Sequence, residues 1–453
     1  MATPGTAVVS DRDERNPAQG RSFVALRDDE RRAWWWMRRN WRVTLIVVNF
    51  AFWFFNALHE WFVRGIFVVI GVDWSRFWGA SRAFEQAGPS PAYKLPDIAR
   101  FMQPLVGYYR PAVGEVRVGP APYPPIFLKL FEVFTLPSPP VGFLLWTALS
   151  VVLALYVVRR LAARFQTGSE WQVALLLLST FPLMMALFVG QVTLLLFVCV
   201  MQAVSDFDRG REFRAGFWTG LLVLKPQYAF CLFIVYVIKR RTAAASGFVA
   251  GGITILIGSL AVGGVGGMVA YVQMLFADYP AYAGGVAIDP RAMIGWRSLV
   301  ITFFPHLSTV SSLLIVGILS VATLALLPAI WSGPWDPTSK RFLRQLTATL
   351  AITLLVAYHS QPHGATLLLV PGALLLARPN ASFVTRNLLA GAVAVMPILG
   401  IISAFTVGNL MLVSLFMSGV LIALVVVLMQ QDGMLLGFHS VRRRNQEIVE
   451  GYP

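Results

Sequence analysis

The sequence predicts an all-α, polytopic membrane protein, and three observations support this class. Of the 453 residues, 57% are hydrophobic and only 13% are charged, whereas soluble domains carry roughly 25% charged residues. The apolar residues form blocks of about 20, as membrane-spanning helices require, and do not follow the period of a surface helix or strand. Aromatic residues, which are included in the hydrophobic share, make up 13% of the chain. This composition argues against a soluble enzyme.

The N-terminal 30 residues are rich in charged residues, Pro and Gly. They contain too little apolar surface to fold by burial, so residues 1–30 are predicted to be a disordered tail. About 40 polar and charged residues precede the first apolar run, which argues against a cleaved signal peptide. Residues 31–39 combine basic residues with Trp34, Trp35 and Trp36, a pattern typical of anchoring in anionic headgroups.

The first span is predicted at residues 43–72, and Asp73 marks its far end. Aromatic residues follow at roughly helical spacing from Trp74 to Phe84, with charged residues between them. This spacing predicts an amphipathic, interfacial helix on the membrane surface. The Pro-rich stretch that ends at Pro125 is too polar to span, so residues 73–125 are predicted to form the first non-cytoplasmic loop.

One apolar segment, 215–238, is interrupted by Lys225-Pro226-Gln227 and is flanked on both sides by basic residues. We predict two half-length helices that enter and return, since a broken backbone is tolerated only where protein or water covers it. Together with the first span, the other apolar segments predict about ten full transmembrane helices. These segments lie at 139–158, 171–189, 192–206, 243–264, 309–331, 346–360, 364–377, 388–406 and 410–430.

The distribution of charge predicts the topology. Cytoplasmic loops collect Lys and Arg, and the segments assigned to the cytoplasm hold 26 of the 37 Lys and Arg residues and +12 of the net charge of +15. Both termini are therefore predicted to be cytoplasmic. Residues 31–430 are expected to form the membrane domain and 431–453 a cytoplasmic tail. The positive charge is thus explained by topology, and no nucleic-acid partner is predicted.

Several polar residues converge on the non-cytoplasmic face in this topology. They are Asp73, Tyr123, Gln191, Lys225, His359 and His363. Ionisable residues at membrane depth are costly and usually functional. Asp73 has the chemistry of a general base, although a carboxylate at this place also suits a helix cap.

The sequence resembles the polyprenyl-phosphate-sugar-dependent membrane glycosyltransferases of family 87, over about residues 40–380. The resemblance rests on the order of short motifs: Gly71-Val72-Asp73-Trp74, Tyr93, Tyr123-Pro124-Pro125, Trp146, Gly190-Gln191 and Leu224-Lys225-Pro226-Gln227. It implies the type C glycosyltransferase fold and transfer of a hexose, mannose above all, to a glycolipid or glycan hydroxyl. It also implies that Asp73 is the base of a direct, inverting displacement. The sequence departs from the family after His363, where Gly364-Ala365 replaces a frequent Tyr-Asp pair.

A lipid phosphate leaving group needs cations or oriented donors. Lys225 is the strongest candidate, against the alternative that it snorkels to water. Arg76, Arg291 and Arg297 are further candidates, although a solvated loop is the favoured interpretation of Arg291 and Arg297. Trp296 has the chemistry to stack on a sugar or to anchor at the interface. The amide of Gln191 is suited about equally to a hydrogen bond with a sugar hydroxyl and to satisfying the backbone groups of a turn. The predicted substrate-binding residues are Lys225, Arg76, Tyr123, Gln191, Gln227, Trp296, Arg297, His359 and His363.

No metal site and no cofactor are predicted. His359 and His363 have metal-ligand spacing, but no carboxylate accompanies them and Pro362 breaks the helix between them. Hydrogen bonding to phosphate or to Asp73, or a structural role, is expected instead. Asp206-Phe207-Asp208 resembles a nucleotide-sugar motif but lies on the predicted cytoplasmic side, which favours a charged loop.

The predicted partners are a polyprenyl-phosphate-sugar donor, a glycolipid or glycan acceptor and membrane lipids. A transporter or lipid flippase is the main alternative, because many spans and one broken helix also suit a translocation path. Transporters commonly show paired interruptions in repeated halves, and only one such interruption is evident in the sequence. A non-catalytic scaffold is a third alternative.

Overall fold

The structure, a computed structural model, describes residues 17–110, 113, 118–165, 170–278, 289–378, 382–406 and 410–433. Every regular element in these ranges is helical, and their only β-type contact is an isolated bridge between Gly65 and Tyr109. The predicted all-α class is confirmed for this part of the chain. Residues 1–16 and 434–453, which include most of the two predicted tails, lie outside the described residues.

The helices are numbered here in chain order. They are α1 (Pro17–Val63), α2 (Val72–Ala87), α3 (Leu95–Met102), α4 (Pro125–Phe131), α5 (Pro139–Ala162), α6 (Glu170–Leu178), α7 (Phe181–Val189), α8 (Thr193–Asp208), α9 (Glu212–Gly220), α10 (Phe230–Ile238), α11 (Thr242–Gln273), α12 (Trp296–Phe303), α13 (Thr309–Leu324), α14 (Leu327–Ile330), α15 (Lys340–Val356), α16 (Leu369–Ala377), α17 (Phe383–Thr406) and α18 (Met411–Gln431).

Six helices of the described residues are long and apolar enough to cross a membrane, or seven if the bent pair α6–α7 counts as one span. The protein is therefore a multi-pass membrane protein. Three of the predicted crossings correspond to shorter helices, namely α8 with 16 residues, α15 with 17 and α16 with 9. A 16-residue helix reaches only about 24 Å, less than the hydrocarbon core of about 30 Å. The total of ten full crossings thus remains a prediction.

The first helix differs at both ends from the predicted span. It begins at Pro17, so residues 17–30 of the predicted tail are helical, in keeping with a composition that includes the helix formers Ala, Leu, Arg and Glu. It ends at Val63 rather than at Val72, because the next eight residues form turns in which Gly65, Phe67 and Gly71 have positive φ. Asp73 therefore belongs to a new helix and not to the end of the span.

The first loop is a region of helices that pack against one another, and it does not simply lie along the membrane surface. The apolar side chains of α2 are buried within the protein, including Trp74, Phe77, Trp78 and Phe84. They pack with α4, which extends beyond the predicted loop, and Phe77 contacts Tyr123 with ring centroids 4.9 Å apart. The apolar side of α2 was expected to face lipid, and this expectation is wrong, because α3 and α4 cover that side. The location of α2 at the membrane interface stays a prediction.

Helices α9 and α10 form the predicted pair of half-length helices. The chain leaves helical geometry at Lys225, with φ −128° and ψ 85°, between two short 3₁₀ turns. Glu212 at the start of α9 forms an ion pair with Arg241, which follows α10. Thr219 also bonds to Tyr236 across the pair, at 3.0 Å between their hydroxyl oxygens. Because its outer ends meet, the segment is a hairpin whose tip carries Lys225.

Glycine residues bring α9 and α11 into backbone contact. A Cβ on Gly216 or Gly220 would overlap a carbonyl oxygen of α11, and a Cβ on Gly247 or Gly251 would overlap a carbonyl oxygen of α9. Both helices thus carry the small-xxx-small spacing that permits close packing in membranes. This contact fixes the first arm of the hairpin against the long helix α11.

The predicted span 171–189 is bent by 58° between α6 and α7. Pro182 stands in the first turn of α7, and the hydroxyls of Ser179 and Thr180 donate to the carbonyls of Leu176 and Leu177. Proline interrupts the helical hydrogen-bond ladder, and the two hydroxyls satisfy carbonyls at the break. The bend directs the far end of α7 toward the start of α2.

Candidate active site

Asp73 lies in the first turn of α2 and is buried. Its Oδ1 accepts a hydrogen bond from Arg76 Nη1 at 3.0 Å, and its Oδ2 accepts one from Gln191 Nε2 at 2.6 Å. The N-cap of the helix is Gly71, and no side-chain hydrogen bond caps this end. The carboxylate is therefore held by side chains and does not act as an N-cap.

The start of α2 is attached to the end of α7. Gly71 N donates to Phe188 O at 2.9 Å. Gly190 ends α7 with a φ of +74°, and a Cβ there would meet Trp74 Cβ at 2.6 Å. Trp146 Nε1 donates to Gly190 O at 2.9 Å. Glycine is required here by both the left-handed conformation and the close approach. These contacts place Gln191, the next residue, beside Asp73.

The amide oxygen of Gln191 accepts hydrogen bonds from three donors. Lys225 Nζ donates to it at 2.8 Å, Tyr123 OH at 3.1 Å and Val192 N at 3.2 Å. Tyr123 is held in turn by the hydroxyl of Tyr93, which donates to Tyr123 O at 2.9 Å. A single side chain therefore joins the first loop, α7 and the tip of the hairpin.

Lys225 is buried at the tip of the hairpin. Its Nζ lies 5.7 Å from the ring centroid of Tyr123 and 5.8 Å from that of Tyr228, within the range of cation–π attraction. Two rings and one amide oxygen thus stabilise an ammonium away from bulk water. The snorkelling alternative does not describe this side chain, because it points into the protein.

A second group of candidate residues surrounds Tyr358 and His359, which follow α15. Gln227 Nε2 donates to the backbone oxygen of His359 at 3.3 Å. The guanidinium of Arg297 stacks on the ring of Tyr358, 4.0 Å from its centroid, and donates to Tyr358 O at 3.4 Å. Gln227 and Arg297 thus both contact the bend that carries Tyr358 and His359.

His359 and His363 do not share a helix face. His359 lies in the turn after α15, whereas His363 lies in a 3₁₀ segment, Pro362–Leu368. The Nδ1 atom of His363 is 3.0 Å from the hydroxyl oxygen of Thr193 on α8. Among the described residues, no group of three or more His, Cys, Asp or Glu side chains is arranged to hold a metal ion.

Two of the predicted candidates lie apart from the Asp73 network. Trp296 Nε1 donates to the hydroxyl of Thr323 on α13 at 2.9 Å, which turns the indole toward that helix. Arg291 is exposed, beside the capping residue Asp289, as the solvated-loop alternative predicts. Arg297 differs from Trp296 because successive residues of one helix project in different directions.

Tyr228 is a site residue that was not predicted from the sequence. It is fully buried, its ring flanks Lys225, and its hydroxyl lies 3.5 Å from that of Ser360. A Cβ on Gly364 would overlap the Tyr228 hydroxyl. The space directly after His363 is therefore filled by this tyrosine. In the sequence, the only indication that Tyr228 belongs to the site is its position three residues after Lys225.

The fold and these contacts together describe a multi-pass membrane protein in which a side-chain amide joins the buried carboxylate of Asp73 to the buried ammonium of Lys225. The sequence profile of glycosyltransferase family 87 matches residues 122–357, which is about half of the chain. The chain belongs to glycosyltransferase family 87. No curated protein and no solved structure shows significant similarity to it.

Proposed function

We propose that this glycosyltransferase transfers a hexose, above all mannose, from a polyprenyl phosphate to a hydroxyl of a glycolipid or glycan. The observation that carries the proposal is the hydrogen-bonded chain from Asp73 through Gln191 to Lys225. It holds a potential base and a potential phosphate ligand at opposite ends of one amide. Membership of the family favours sugar transfer over the transport alternative.

The proposed reaction is a single, inverting displacement. Asp73 takes the proton of the acceptor hydroxyl while that oxygen bonds to the anomeric carbon of the donor sugar. The bond between the anomeric carbon and the phosphate oxygen breaks at the same time, and polyprenyl phosphate leaves with its bonding electrons. Lys225 and Arg297 stabilise the negative charge that develops on this phosphate. No metal ion or cofactor takes part in the proposed step.

The charge balance of the site supports an anionic leaving group. Asp73 carries one negative charge and is paired with Arg76, while the hydrogen bond and the two ring contacts of Lys225 are made to neutral groups. We place the site on the non-cytoplasmic face, with both termini in the cytoplasm, on the distribution of Lys and Arg.

Purified protein in lipid nanodiscs, given polyprenyl phosphates that carry labelled mannose, glucose or arabinose, is expected to transfer mannose to acceptor glycolipids. The Asp73→Asn variant is expected to lose about 10²- to 10⁴-fold in rate, the usual contribution of a general base. Glu85→Gln is the matched control, because Glu85 is an exposed acid on the same helix. Unchanged transfer by Asp73→Asn contradicts the assignment of the base.

A further inference from the structure

The orientation of the Gln191 amide is determined by its surroundings. Its oxygen accepts from Lys225 Nζ, Tyr123 OH and Val192 N. An amide oxygen has two lone pairs, so these donors occupy its acceptor capacity. The reversed amide would place its NH₂ group against an ammonium and a backbone N–H. The Nε2 atom must therefore point at Asp73, whose Oδ2 accepts from it at 2.6 Å.

We propose that Gln191 is a positioning residue that aims the Asp73 carboxylate and separates it from Lys225, and that it is not a sugar ligand. This inference rests on the proposed function of the site. Arg76 holds one carboxylate oxygen and Gln191 the other, so the carboxylate plane is fixed. Only one N–H of Gln191 remains for any further partner, which leaves little capacity for recognising a sugar.

The neutral amide also has an electrostatic consequence. Lys225 and Asp73 both bond to Gln191 but through its opposite ends. A direct ion pair between them would stabilise the charged form of each and make the carboxylate a weaker base. It would also occupy the ammonium needed for the donor phosphate. The interposed amide bonds to both groups, so the carboxylate has one ion pair, with Arg76, and the ammonium stays out of direct contact with it.

The backbone of Gln191 is fixed independently of its side chain. The preceding residue, Gly190, packs on Trp74, and its carbonyl accepts from Trp146. A change of the Gln191 side chain therefore alters the contacts with Asp73 and Lys225 without moving the turn. This permits a test in which charge is changed at constant size.

The test is a charge-swap cycle read by thermal unfolding in nanodiscs near pH 7.5. In Gln191→Glu, a second carboxylate faces Asp73 across a 2.6 Å contact, so the unfolding midpoint is expected to fall by about 3 °C or more. The double variant Asp73→Asn/Gln191→Glu exchanges the amide and the carboxylate. The new amide at position 73 then donates to the new carboxylate at position 191, and most of the lost midpoint is expected to return. The matched control is Gln103→Glu, which adds the same charge at an exposed position.

Activity gives the second readout. In Gln191→Glu, the acid limb of the pH–rate profile of transfer is expected to move up by about 1 pH unit, because two carboxylates that share a site resist joint ionisation. The shorter, neutral Gln191→Asn withdraws the hydrogen bond from the Asp73 carboxylate, so it is expected to lower the rate and to move this limb up by less than Gln191→Glu does. A sugar ligand would behave differently, since its loss raises the donor KM selectively and leaves the limb in place.

The outcomes separate this inference from the proposed function. Gln191→Glu also places a carboxylate beside the Lys225 ammonium, so the deciding quantity is the coupling between positions 73 and 191. A double variant no more stable than the additive effect of the two single changes overturns the inference whatever the activity. In a different outcome, the double variant recovers its stability while the wild-type protein transfers no sugar from any polyprenyl-phosphate donor. This result supports the inference and overturns only the proposed function.

Discussion

At the scale of single residues, the site depends on charges that are kept out of water. Lys225 donates a hydrogen bond to Gln191 and lies near two tyrosine rings. A buried ammonium loses its hydration, and these contacts replace only part of it. The proposed donor phosphate would supply the remaining stabilisation. Lys225 is therefore best suited to binding an anion.

Replacement of Lys225 by Met, which keeps the length of the side chain, is expected to lower kcat/KM for the lipid-phosphate donor about 10- to 150-fold. The physical reason is the loss of a hydrogen bond to a charged group, worth about 1.5–3 kcal/mol. Steady-state kinetics with varied donor concentration measures the effect. Lys94→Met, at an exposed position of the first loop, is the control. Equal loss in both variants contradicts a specific phosphate contact.

At the scale of helices, Lys225 is placed by the packing of its hairpin. Its first arm, α9, contacts α11 through glycines on both helices, and the ion pair of Glu212 with Arg241 joins the two arms at their outer ends. In a membrane, close packing of this kind replaces the hydrophobic driving force of a water-soluble core. The position of the ammonium thus depends on residues that are distant from it in sequence.

Gly247→Ala is expected to destabilise the protein by about 1–3 kcal/mol, because the added methyl overlaps the backbone oxygen of Phe213, which cannot rotate away. Thermal unfolding in nanodiscs measures the effect, and transfer activity is expected to fall with it. Gly252→Ala is the control on the same helix, since its Cβ would meet only Val223 Cγ2 at 3.9 Å. Similar midpoints for the two variants argue against the close contact as the source of stability.

At the scale of the whole molecule, the sidedness of the site follows from the topology. The hairpin returns both of its ends to one side, so α8 and α11 are expected to meet the same aqueous compartment there. The predicted positive-inside distribution makes this compartment the cytoplasm. The first loop, which carries Asp73, is then expected to face the other side.

Single cysteines test this arrangement in a background that lacks Cys199 and Cys231, both of which are buried. A membrane-impermeant maleimide applied to intact cells is expected to label Lys94→Cys and His306→Cys, and to leave Arg209→Cys and Thr242→Cys unlabelled until the cells are opened. All four positions are exposed. Opposite labelling of positions 209 and 242 shows that residues 212–238 cross the membrane once, which rejects the re-entrant arrangement.

Most of what the sequence predicted correctly depends on local properties. The helical class follows from apolar runs, and the break at Lys225 follows from a proline that cannot continue a helix. Family membership was predicted from motif order. The first span was predicted too long because Ile66 to Val72 are apolar, yet Gly65 and Gly71 permit turns that end α1 early. Hydropathy does not distinguish a buried turn from a span.

The sequence by itself determined the class of protein, its helical content, the interruption at Lys225 and a set of polar residues that included Asp73 and Gln191. Only the tertiary structure decided which of these residues meet. It joined Asp73 to Lys225 through Gln191, turned Trp296 toward Thr323, added Tyr228 and buried α2. The physical reason is that composition and period report short-range preferences, whereas these hydrogen bonds join residues 27 to 118 positions apart and depend on how helices pack.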